Sequence, residues 1–82
     1  MITDITQLSQ QLETSIDKLD HSKVSWTEKW MVIELKERGV ILLESLMRFK
    51  DKEQQAVITA TNEFLTEIKP VIQQLQLNNT GV

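Results

Sequence analysis

The chain of 82 residues has no cysteine, one proline and two glycines, and no uninterrupted apolar run in it exceeds four residues, as in Val40 to Leu43. Without cysteine there are no disulfides, no thiolate metal sites and no cysteine nucleophile. A four-residue run is far too short to cross a bilayer, so no membrane insertion is expected. The opening MITDITQLSQQ lacks the basic and apolar regions of a secretory signal, which points to a cytoplasmic location. An excess of basic charge is also missing. Twelve acidic against nine basic residues give a net charge of -3, so a general hold on nucleic acid phosphates has no electrostatic basis. The local cluster Arg48, Lys50 and Lys52 is interrupted by Asp51 and Glu53 and reads as a solvated turn.

Catalytic signatures are absent as well. There is no glycine-rich phosphate loop, no HExxH pair and no nucleophile elbow. Glu13, Asp17 and His21 share one helix face at intervals of four, but a single histidine opposite the apolar stripe reads as a solvated charged face. No enzymatic activity, catalytic residue, metal or cofactor is therefore expected.

What is present is helical. With 40% hydrophobic residues and many Leu, Ile, Gln, Glu and Lys, the composition suits a single small all-α domain over residues 1–77. At this size about 60% of the unfolded surface is buried, so the core is modest. Ile5, Leu8, Leu12, Ile16 and Leu19 recur at intervals of three and four and predict a first helix, with Thr3 as N-cap and an end near Asp20. A short connection, His21 to Val24, leads to Ser25-Trp26-Thr27-Glu28, the pattern of a capping box.

The second helix, Ser25 to Phe49, carries three apolar columns: Trp26, Ile33, Val40 and Met47; Val32, Gly39 and Leu46; and Leu35, Leu42 and Phe49. Together with Leu43 they form an arc about 160° wide, against roughly 100° for an ordinary surface helix, which makes it the central helix. Gly39 inside that arc costs about 1 kcal/mol relative to Ala; it marks either a close helix approach or a tolerated weak point. Pairs such as Glu34 with Arg38 and Glu44 with Arg48 are spaced for weak ion pairs.

Lys50-Asp51-Lys52 is the expected reversal, with Asp51 capping a third helix; with no Gly or Pro there, one unbroken helix from Ser25 to Leu77 is the alternative. In the third helix Val57, Thr61, Phe64, Ile68, Val71 and Leu75 follow a 4-3-4-3-4 seam. Pro70 predicts a kink, or a break that makes Pro70 to Leu77 a separate short helix, and residues 78–82 are expected as a disordered tail. The expected architecture is an antiparallel three-helix bundle.

The first helix is the shortest, about 26 Å against about 37 and 39 Å. Joined to the start of the second by a brief loop, it should cover that helix only to about Leu43. Leu46, Met47 and Phe49 would then stay open beside Val57, forming an apolar groove for an amphipathic helix of a protein partner. Trp30 and Ile41, outside the apolar arc, add candidate partner contacts. The expected partner-binding set is thus Leu43, Leu46, Met47, Phe49, Val57, Trp30 and Ile41. A homodimer that buries the same patch is the alternative.

Trp26 and Trp30 open the second helix, Glu34 and Arg38 follow, then Ile41-Leu42-Leu43 with Leu46, a polar reversal, and Asn62-Glu63-Phe64-Leu65 on the third helix. In this pattern the chain, between Leu12 and Leu75, resembles small FliT-type flagellar export chaperones. The resemblance implies a bundle of antiparallel helices that shields an aggregation-prone helical end of a filament-cap protein before secretion. The chain departs from that pattern by lacking a long fourth helix.

Overall fold

A computed structural model describes residues 2–20 and 24–80. Three helices pack against one another: α1 is Ile5–Asp17, α2 is Trp26–Arg48 and α3 is Asp51–Thr80. Among the described residues there is no strand, and the fold is an all-α bundle. Thirty residues of α3 at about 1.5 Å each account for the long dimension of the molecule, 46 × 20 × 15 Å.

The helix ends differ from the sequence expectation in instructive ways. Asp4, not Thr3, caps α1, its carboxylate accepting the Gln7 N–H at 3.1 Å. The helix stops at Asp17 rather than near Asp20, with Lys18 as C-cap, so the connection to α2 is eight residues, 18–25. Ser25 holds the N-cap position of α2 in extended backbone, but the capping box does not close. Its carbonyl accepts the Glu28 and Lys29 N–H groups, while its hydroxyl lies 3.3 Å from that of Thr27.

At the second turn the chain reverses at Phe49 and Lys50. Phe49 is extended, and Asp51, expected as a cap, is the first residue of α3 and takes φ 57°. An Asp tolerates this left-handed conformation better than most residues, which is how the turn forms without glycine. The Gln54 side-chain amide donates to the Leu46 carbonyl at 3.3 Å and ties the two helix ends together. The single unbroken helix from Ser25 to Leu77 is therefore not formed.

From that turn α2 and α3 run antiparallel, since Arg38 meets Glu67 and, further along, Val32 shares a cleft with Val71. The α3 seam faces inward: Thr61, Phe64, Ile68 and Leu75 are buried, and Val57 and Val71 are half-buried. Thr61 is tolerated in the core because its hydroxyl donates to the Val57 carbonyl at 2.7 Å. Pro70 does not split the helix. It removes one N–H on an exposed flank of α3, while Ile68 and Leu75 on either side keep their buried packing. The helical backbone continues to Thr80, into the stretch expected as a tail.

On α2 the inward column is Val32, Gly39 and Leu46, joined by Leu35. A Cβ placed on Gly39 would lie 2.8 Å from Ile16 Cγ1 and 3.3 Å from Phe64 Cε2, so the glycine marks a close approach and not a weak point. This contact also corrects the expected groove. The last turn of α1 meets the middle of α2, about 20 Å beyond Trp26, and the longer connection spans the difference. The register of α1 is thus shifted away from the start of α2, and Leu46 is 0% exposed instead of uncovered. The N-terminal segment is held by Asn62, whose side chain accepts the Ile2 N–H at 3.1 Å and donates to the Ile2 carbonyl at 2.8 Å.

Candidate interaction surface

One flank of α3 carries Ala60, Glu63, Glu67, Pro70 and Gln74 at helical spacing, and these residues line two clefts against α2. The first cleft is completed by Arg38, Ile41, Leu42 and Phe64. The second is completed by Glu28, Met31, Val32, Val71 and Leu75. No residue of α1 lines either one. Helix α1 lies against the opposite flank, where Gln11 and Ser15 share a cleft with Leu65, Lys69 and Ile72. Two apolar clefts thus follow one another along the α2–α3 seam, on the side that α1 leaves open.

Between them stands a polar bridge. The Arg38 guanidinium faces the Glu67 carboxylate through two N–H groups, each 3.3 Å from an oxygen, and its carbon lies 5.3 Å from the centre of the Phe64 ring. Arg38 therefore reaches across the seam to Glu67 rather than along α2 to Glu34. Both partners are about half exposed, at 46% and 56%, so the pair contributes little to stability, about 0.2 to 1 kcal/mol. Its place at the waist of the groove is the more consequential property.

A second apolar surface lies on the outward face of α2. Trp26 is 71% exposed, Trp30 60%, Ile41 62% and Met47 69%. The two tryptophan rings meet edge to face at 6.1 Å, and the Lys29 ammonium lies 5.4 Å from the Trp26 ring centre. The column Trp26, Ile33, Val40 and Met47, expected within the core arc, in fact lies at or near the surface.

The residues expected to bind a partner therefore separate. Ile41 lines the first cleft, and Trp30 and Met47 are open on the outer face of α2. Phe49 is exposed at the turn, Leu43 and Val57 are half-buried against the core, and Leu46 belongs to the core itself. Apart from Ile41, the groove is formed by residues outside the expected set, chiefly Met31, Phe64, Pro70 and Val71. The 3-4-3-4 recurrence of residues 60, 63, 67, 70 and 74 is the sequence signal that marks its α3 wall.

Among the described residues no cluster of acidic or histidine side chains is arranged to hold a metal ion, and Glu13 and Asp17 lie exposed on α1. His21, the third member of that stripe, lies outside the described residues. None of the described helices is long and apolar enough to cross a membrane. No family model, curated protein or solved structure matches the chain.

Proposed function

We propose that this protein is a non-enzymatic helical adaptor or chaperone that receives one amphipathic helix of a protein partner in the α2–α3 groove, as the fourth helix of a bundle. The observation that carries this reading is the pair of aligned clefts on the flank of the hairpin that α1 leaves uncovered. Two antiparallel helices present a groove parallel to their axes, and an amphipathic helix fills such a groove with side chains spaced by three and four.

The groove sets the dimensions of its occupant. From Glu28 to Leu42 it follows α2 for about 21 Å, or some fourteen residues of helix. Apolar side chains of the occupant would enter the clefts at Met31 and Val71 and at Ile41 and Ala60. Its middle would carry a small or polar residue over the Arg38–Glu67 bridge. The rim residues Glu28, Glu63 and Glu67 favour Lys or Arg on the edges of the occupant. The resemblance to FliT-type export chaperones gives such a partner a class: the helical end of a flagellar filament-cap protein held before secretion.

Titration with a synthetic fourteen-residue amphipathic helix, Leu on one face and Lys on the edges, tests the reading by methyl NMR. Shifts at Met31, Ile41, Ala60 and Val71, lost in Ile41→Glu and in Met31→Glu, are expected. Because both side chains are exposed, each variant should keep its helical circular dichroism. Binding that leaves these methyl groups unmoved, or no binding at millimolar peptide, overturns it.

A further inference from the structure

We propose that a second copy of this chain packs on the outer column of α2, parallel to it, about a two-fold axis running along the helix. This surface is separate from the groove. The column consists of Trp26, Ile33, Val40 and Met47, each seven residues from the next, and it stands outside the core cluster. Seven-residue spacing holds a straight seam toward a neighbouring helix only when the two wrap around each other with a left-handed twist. None of the described residues supplies that neighbour: Trp26, Val40 and Met47 are 71%, 41% and 69% exposed.

Charge along the two edges of the column identifies the occupant and its direction. Lys29 and Lys36 lie on one edge, and Glu37 and Glu44 on the other; Lys36 and Glu37 are adjacent in sequence and so about 100° apart around the helix, with the column between them. Lys36, Glu37 and Glu44 are exposed and form no ion pair within the described chain. A two-fold axis parallel to α2 brings the basic edge of each copy to the acidic edge of the other at the same height, so that Lys36 meets the second copy's Glu37 twice. Lys29 then lies level with the second copy's Trp30, extending across the interface the ammonium-on-indole contact that it already makes with Trp26. A two-fold axis perpendicular to the helix would instead oppose each edge to itself, lysine to lysine and glutamate to glutamate. The charge order therefore selects the parallel pair.

Sedimentation equilibrium of the full chain at high micromolar concentration is expected to show a dimer. Val40→Glu should make it monomeric, with helical circular dichroism retained because Val40 is exposed. Lys36→Glu should weaken association about tenfold, since it turns two attractive pairs into repulsive ones. Adding Glu37→Lys to that variant exchanges the edges and should restore the original affinity within about twofold. The chain has no cysteine, so Val40→Cys carries a single thiol. In the parallel pair that thiol faces its own copy and should form a covalent dimer under oxidised glutathione, whereas Ile41→Cys should not. A monomer at all concentrations, a dimer insensitive to Val40→Glu, or charge variants whose combination fails to restore association would overturn the proposal.

Discussion

Ile16 and Gly39 are in a contact that leaves no room for a methyl group: a Cβ on the glycine would stand 2.8 Å from Ile16 Cγ1 and 3.1 Å from its Cδ1. Substitution Gly39→Ala gains about 1 kcal/mol of helix propensity but overpacks a filled contact, at a cost of about 1 to 3 kcal/mol. A net loss of about 1 kcal/mol is expected in urea melts. In an Ile16→Ala background, which is itself destabilised, the same Gly39→Ala change should cost nothing or stabilise. Equal effects in the two backgrounds would show that the residues are not coupled.

Ser9 carries the converse prediction. Its hydroxyl is buried on α1 with no hydrogen-bond partner, unlike that of Thr61. A buried hydroxyl left unpaired costs about 1 to 3 kcal/mol of desolvation, and alanine is also the better helix former. Ser9→Ala should therefore raise stability by about 1 kcal/mol, seen as a higher urea midpoint with an unchanged slope. A lower midpoint would mean that the hydroxyl is satisfied in solution.

Leu46 and Met47 contrast a core position with a surface position one residue away. At 0% exposure, Leu46→Ala should cost about 2 to 5 kcal/mol, and Leu46→Glu should abolish the cooperative melt of the whole chain. Met47→Glu, one position on but 69% exposed, should change the stability of the monomer, melted below the concentration at which copies associate, by less than about 0.5 kcal/mol. Similar melts for the two glutamate variants would remove Leu46 from the core.

Asn62 holds the start of the chain through both its amide oxygen and its amide nitrogen. Asn62→Ala should lose about 1 to 2 kcal/mol, and hydrogen exchange should accelerate most at Ile2 and in the first turn of α1. Acceleration spread evenly over all three helices would mean that the amide acts on global stability alone.

The three helices were legible because the apolar spacing and the burial agree where both faces of a contact lie in regular structure. Thr61, Phe64, Ile68 and Leu75 on α3 show this, as do Leu8, Leu12 and Ile16 on α1. What could not be read was the register between helices. Trp26 and Val32 are comparably apolar, and which of their columns turns inward depends on where α1 docks. That in turn depends on α1 ending at Lys18, where no glycine or proline signals a stop. One misplaced helix end moved Leu46 from groove to core. The groove was hidden for a related reason: Phe64 serves the core and also lines a cleft, and a wheel assigns one role to each residue. That Ile41 stands outside the core stripe is visible in the sequence, and in the structure it lines the first cleft.

The unequal connections give the molecule an order of assembly. Two residues join α2 to α3, whereas eight join α1 to α2, and loop closure costs more chain entropy as the loop lengthens. Contacts beside the Phe49–Lys50 turn are close in sequence, Gln54 and Leu46 being eight residues apart, whereas the start of the chain reaches Asn62 across 60 residues; pairing of α2 with α3 is therefore expected to begin at the turn. Docking of α1 is the later step, and mutations at Ile16 should alter the unfolding rate more than the folding rate.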